Sequence, residues 1–219
     1  MIVKILIGNK AYSSWSLRGW LAVKQSGLSC EEQVIPMWTD AWDVAQKGVL
    51  AASGGKVPML IDGDAVVWDS LAIIDYLADK TDHARFWPSD QAARGLARSM
   101  AAEMHSSFAA LRSEHGMNTR RTHPARPPSD AVSADIARII QLWSQAREKR
   151  GAGGPFLFGT FGAADIMFAP VCTRFRTYNL PIAPFAVDYV NAVLDHSFMR
   201  EWLAAADAEE WVIDKYEAY

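Results

Sequence analysis

Gly55-Lys56-Val57-Pro58-Met59-Leu60-Ile61-Asp62-Gly63-Asp64-Ala65-Val66-Val67-Trp68-Asp69-Ser70-Leu71-Ala72-Ile73-Ile74-Asp75-Tyr76-Leu77 is the stretch on which the fold turns. Two short apolar runs, 58–61 and 65–68, flank Asp62-Gly63-Asp64, which reads as a β-hairpin. At Asp69 the apolar period lengthens, with Leu71, Ile74, Leu77 and Ala78 on one face. That spacing predicts a helix from 69 to about 80, opened by an Asp-Ser pair that can cap it.

Upstream, residues 2–8 (IVKILIG) read as a strand, and 14–26 as a helix stopped by Gly27. Residues 31–36 read as a second strand, and 40–52 as weakly helical before Gly54-Gly55. The order is βαβαββα. A helix between the first two strands makes them a parallel pair, and the hairpin adds an antiparallel edge. A thioredoxin-like α/β N-terminal domain over 1–81 fits. Residues 82–89, with Trp87-Pro88, read as a linker. Helical patterns then cover about 89–116, 130–150, 163–178, 184–195 and 197–206, and a basic, proline-broken loop lies at 119–128. Residues 90–219 therefore read as an all-α C-terminal helical domain. No internal repeat is seen.

Composition narrows the function classes. A net charge of -3 gives no electrostatic reason to expect nucleic acid or an anionic membrane as partner. No apolar run reaches the ~20 residues that span a bilayer, and the opening lacks the marks of a signal peptide. Cys30 and Cys172 form no CxxC pair or zinc-type set, so no metal is expected. A reduced, cytoplasmic setting is the economical reading. The nine tryptophans are expected to lie mostly in the core.

Three stretches carry chemistry. Tyr12-Ser13-Ser14-Trp15-Ser16-Leu17-Arg18 stands between the first strand and the first helix. Serines there cap a helix, but a helix start also offers free N–H donors and partial positive charge to an anion. A hydroxyl at that point can hold a thiolate in its charged form. Lowering a thiol pKa by about two units takes roughly 2.7 kcal/mol, within reach of one hydroxyl plus a helix end. The sulfur must come from a ligand, because neither cysteine is near. In Gly55-Lys56-Val57-Pro58, a proline opening a strand is compatible with a cis peptide. Such a turn would leave Val57 free to pair with a peptide-like ligand, with Lys56 as a nearby cation. In Asp69-Ser70, Ser70 and its N–H could hold a carboxylate while Asp69 accepts from an ammonium.

The order and spacing of these three stretches resemble the cytosolic glutathione S-transferase superfamily, and SLAIIDYLAD is similar to its third helix. Residues 158–166, FGTFGAADI, resemble its N-capping box and staple, with Asp165 as the returning acid and Phe161 packing on Ile166. Gly162 stands where that pattern has Ser or Thr, which should cost a few tenths of a kcal/mol. The first stretch resembles the serine-type zeta pattern, Ser-Ser-Cys-x-x-Arg. The resemblance implies glutathione as co-substrate and Ser13 as the thiolate-stabilising hydroxyl, with Ser14 in reserve. It implies Lys56 at the glycyl end, Val57 on the cysteinyl main chain, Pro58 as the cis-proline, and Asp69 and Ser70 on the γ-glutamyl end. A small hydrophobic electrophile would enter between the domains against Tyr12, Trp15, Met37, Trp38 and His105, and the superfamily usually forms homodimers.

Arg98, His105 and Arg112 fall seven apart, as a solvated stripe of one helix would. Arg120, Arg121 and Arg126 read as surface charge. Two other functions compete with a transferase. One is a non-catalytic binding or regulatory protein that keeps the fold. The other is a glutathione-dependent cis-trans isomerase, which Trp15 in place of the zeta cysteine speaks against.

Overall fold

The computed structural model describes residues 2–150 and 153–217. Strand β1 (Val3–Ile7), helix α1 (Ser14–Ser26) and strand β2 (Cys30–Val34) form the crossover, with β1 and β2 parallel. Helix α2 (Asp40–Lys47) leads to the hairpin of β3 (Met59–Asp62) and β4 (Ala65–Trp68), and α3 (Ser70–Lys80) follows. The sheet order is β2-β1-β3-β4, with β3 antiparallel to both neighbours. Period-two alternation sends Val3, Ile5 and Ile7 to the face shared with α1 and α3. Leu6 points the other way, into a small cluster with Ile35, Leu50 and Met59.

A single buried cluster runs from β1 through α1 and α3 into the helical half. There α5 (Gln91–Ser106), α7 (Asp130–Arg150), α8 (Ala163–Thr177), α9 (Pro184–Asp195) and α10 (Ser197–Asp207) surround a core in which Trp143 lies 4.6 Å from the Tyr189 ring and 5.7 Å from Phe168. Helix α8 is buried almost throughout and packs on α1, so it joins the two halves.

Several sequence readings need correction. The second strand begins at Cys30 and its ladder ends at Val34, although the Ile35 N–H still donates to Ile7 O at 2.8 Å. The linker holds a turn of helix, α4 (His83–Phe86), capped by Asp82, and Phe86 and Trp87 are buried beneath it. The pattern at 89–116 is two helices, because Phe108 takes the left-handed conformation (φ 62°) and starts α6 (Ala109–Glu114). Arg112 donates back to the His105 and Ser107 carbonyls, satisfying the end of α5. Only Trp20, Trp87, Trp143 and Trp202 are buried, whereas Trp38, Trp68 and Trp211 are exposed.

At the start of α8, Asp165 accepts from the Gly162 N–H (2.9 Å), the Leu157 N–H (3.1 Å) and the Tyr189 hydroxyl (3.0 Å). Burial nonetheless pushes its carboxyl up to about 6. Gly162 has a spatial reason: a Cβ there would come within 2.8 Å of the Phe86 carbonyl oxygen. A capping serine is excluded by crowding, since the backbone at 162 is extended and open to any residue. Phe161 stacks on His196, their ring centroids 4.1 Å apart. Among the described residues, no helix is long and apolar enough to cross a membrane.

Candidate functional site

The start of α1 is built by serines. Ser13 is the N-cap and accepts from the Ser16 N–H at 3.3 Å. Its hydroxyl donates to Ser16 Oγ at 2.8 Å, and Ser16 Oγ in turn accepts from the Gly8 N–H at 2.9 Å. The chain leaving β1 is thereby tied to the first turn of the helix. Ser14, one residue on, is 9% exposed, and its Oγ accepts from Arg174 Nη2 at 3.4 Å.

Helix α1 lies against the second stretch. The Val57-Pro58 bond is cis, and a Cβ on Gly19 would fall 2.7 Å from the Pro58 ring. Glycine inside a helix costs about 1 kcal/mol relative to alanine. Here it permits the close approach of α1 to the proline turn. Val57 is partly buried and precedes Met59, the first residue of β3 that pairs with β1 and β4. Lys56 is exposed, and its backbone N–H donates to Ser53 Oγ.

The third stretch is the start of α3. Asp69 holds φ at 74°, a left-handed value that a non-glycine residue rarely adopts. Its Oδ1 accepts from the Leu71 N–H at 2.8 Å. Ser70 is wholly buried, and its Oγ has no protein partner among the described residues. Backbone strain beside an unsatisfied buried hydroxyl is the pattern expected where a ligand completes the bonding.

Trp15 links these starts. Its ring meets His105 edge-on at 5.3 Å, and His105 Nε2 lies 3.4 Å from Asp69 Oδ2. The guanidinium groups of Arg18 and Arg112 lie over the Trp15 ring at 4.9 and 4.6 Å. Arg18 is 1% exposed; its Nε donates to Met167 O, while Nη1 has no hydrogen-bond partner among the described residues. Burial, and then the positive charge of Arg174 and Arg112, holds its pKa well below the usual value, against the pull of Asp69. Arg174 is 4% exposed and pushed down to about 10, first by burial and then by Arg112. His105 and Arg112 thus leave the expected solvated stripe, and of that set Arg98 remains exposed.

Tyr12 and Trp38 gather elsewhere. Residues 209–217 fold back across them: Tyr216 stacks on Tyr12 at 5.6 Å and meets Trp38 at 6.1 Å. The Tyr12 hydroxyl donates to Glu217 and accepts from Arg120, each at 2.6 Å. Burial and the Glu217 acceptor raise its pKa. Arg120 also donates to the Glu209 and Trp211 carbonyls, and Arg121 pairs with Glu217. Both arginines are clamps rather than free surface charge. The structure therefore joins Ser14, Trp15, Asp69 and His105, and sets Tyr12 and Trp38 in a separate aromatic group. Sequence reasoning missed Arg174 and read Arg112 as part of a solvated stripe. The signal for Arg174 was an arginine on the otherwise apolar inner face of α8.

Comparison with known proteins agrees with this architecture. Residues 12–80 match the family described as glutathione S-transferase, N-terminal domain, and residues 129–205 match its C-terminal domain. The chain belongs to the glutathione S-transferase family. It is 27% identical to glutathione S-transferase L2, chloroplastic, of Arabidopsis thaliana over 164 residues, which cover 73% of this chain and 49% of that protein. The chain spans about half or less of the length of the curated relatives it matches. Two solved structures share the fold. A glutathione transferase homolog from Burkholderia with bound glutathione has a TM-score of 0.70 at 20% identity, covering 95% of this chain and all of that one. A bacterial zeta-class maleyl pyruvate isomerase has a TM-score of 0.71 at 19% identity, with the same coverage.

Proposed function

We propose that the protein is a glutathione transferase. It would bind glutathione across the starts of α1 and α3 and use the ionised sulfur to attack, or be oxidised by, a small electrophile. The observation that carries this reading is the start of α3, where Ser70 Oγ is buried without a protein partner beside the strained Asp69. A helix N-terminus with a spare hydroxyl suits a carboxylate, and the carboxylate of Asp69 suits an adjacent ammonium. The γ-glutamyl end of glutathione carries both groups. The position of Val57 and Pro58 at the entry to β3 supports them as the strand-like partner of the cysteinyl unit, with Lys56 towards the glycyl carboxylate. The sulfur then comes to Ser13 and Ser14, where the α1 N–H groups and a hydroxyl favour the thiolate.

Trp15 and His105 are the proposed wall for the electrophile, with Tyr12 and Trp38 further out under residues 209–217. The reading includes a homodimer, as the superfamily resemblance implies, which sedimentation in dilute solution would test. The functional test is calorimetric titration with glutathione, followed by turnover of an aryl halide and a hydroperoxide. The expected result is saturable binding, with turnover that falls at least tenfold when Ser13 and Ser14 are both changed to Ala while glutathione still binds. No binding, or turnover indifferent to both serines, contradicts the reading.

A further inference from the structure

We propose that Ser14 is the hydroxyl that donates to the glutathione sulfur, and that Arg174 of α8 is the positioning residue that holds Ser14 for this task. The proposal rests on the reading above that the sulfur lies over the start of α1. It answers a question the sequence left open between two adjacent serines.

The two hydroxyls have different commitments. Ser13 accepts the capping N–H of Ser16 and gives its own hydrogen to Ser16 Oγ. Turning that hydrogen towards a ligand requires the Ser13–Ser16 bond to reverse, with Ser16 Oγ donating in its place. Ser14 Oγ accepts from Arg174 Nη2, and its own hydrogen has no acceptor among the described residues. Arg174 is itself fixed: Nε donates to His115 O at 2.8 Å and Nη1 to Pro170 O at 3.0 Å. With two corners of the planar guanidinium tied to backbone, the third is directed at Ser14. A planar fork can do this where a flexible ammonium cannot. A hydroxyl that accepts from a cation is also a stronger donor, since linked hydrogen bonds polarise one another.

Charge around the helix start points the same way. Arg18 on α1, Arg112 on α6 and Arg174 on α8 repel one another. Facing them are Asp69 at the start of α3 and His105 on α5. A bare guanidinium nitrogen, Arg18 Nη1, is buried in the same cluster. Three cations against one carboxylate favour an added negative charge. When glutathione binds, its S–H bond breaks, the proton leaves to water, and the electron pair stays on sulfur. Ser14 keeps its proton and donates one hydrogen bond to the thiolate.

The test is the pKa of the bound thiol, read from thiolate absorbance against pH in the full-length protein. Ser14→Ala should raise it by about one unit, a tenfold loss of thiolate below the midpoint. Ser13→Ala should move it less. Arg174→Lys keeps the charge but loses the fork, and should raise the pKa by about half a unit. In a Ser14→Ala background the same lysine change should add nothing, because the two residues would act as one unit. A purely structural arginine would not show that dependence, and the lysine variant keeps the test alive if larger changes at 174 fail to fold. The proposal is overturned if Ser13→Ala gives the larger shift, or if Arg174→Lys shifts the pKa equally with and without Ser14. An unshifted thiol in the unmodified protein would instead sink the functional reading itself.

Discussion

Helices α8 and α3 each carry an acidic residue at their start, Asp165 at the third position and Asp69 at the cap, yet the polar groups around the two acids are bonded in opposite ways. At α8 the acid's partners are internal: Asp165 closes on Gly162, Leu157 and Tyr189, and Asp165, Leu157 and Tyr189 are all buried. At α3 Asp69 caps Leu71 from a strained, exposed position, and Ser70 keeps a buried hydroxyl unbonded. The first arrangement spends its polar capacity on holding the fold. The second holds it in reserve for a ligand. A sequence pattern of acid near a helix start does not distinguish these cases; the bonding inventory does.

The contrast can be broken at α8 first, where the largest effect is expected. Asp165→Ala strands two N–H groups and one hydroxyl, and should cost about 3 kcal/mol in urea unfolding. The sign of its pH dependence is also fixed. The folded carboxyl sits at about 6, above its ordinary value in an unfolded chain. Its contribution to stability is therefore full below about pH 4 and is lost as pH rises towards and through 6. The difference between wild type and the alanine variant should shrink over that window. A constant difference would mean that Asp165 does not titrate there.

A smaller effect, of about 1–2 kcal/mol, is expected for Gly162→Ser, which installs the family's usual capping residue. Sequence logic alone expects a gain of a few tenths. The structure reverses the sign, because the new Cβ would press on the Phe86 carbonyl. A raised melting temperature would refute the crowding argument.

Ser70→Ala should have the smallest effect on stability, near zero or slightly favourable, because an unpaired buried hydroxyl is removed. Glutathione affinity should nonetheless fall about tenfold, since a hydrogen bond to a charged ligand group is worth roughly 1.5 kcal/mol or more. If stability fell and affinity did not, α3 would resemble α8 and the contrast would dissolve.

Two of the three strand pairings were readable because each cue was local. The Asp62-Gly63-Asp64 turn fixed one pair, and a helix between two strands demanded another. The extent of α9 was readable too, since the helical pattern over 184–195 matches Pro184–Asp195. The break at Phe108 was not, since no glycine or proline marks it and the backbone turns there through a left-handed phenylalanine. The cis turn, the serine cap and the Asp-Ser pair were visible as motifs. The arginine cluster was hidden, because Arg18, Arg112 and Arg174 lie on three helices and meet only through the packing of α8 on α1. Gly19 was equally silent: its reason is the Pro58 ring, nearly 40 residues away in sequence.

The central claim is that the protein lowers the pKa of a bound thiol, and titrating the ultraviolet absorbance of saturated glutathione complex tests it most directly. A midpoint about two units below the ordinary thiol value of ~8.5 is expected. A midpoint equal to that of free glutathione, with binding confirmed by calorimetry, would contradict it.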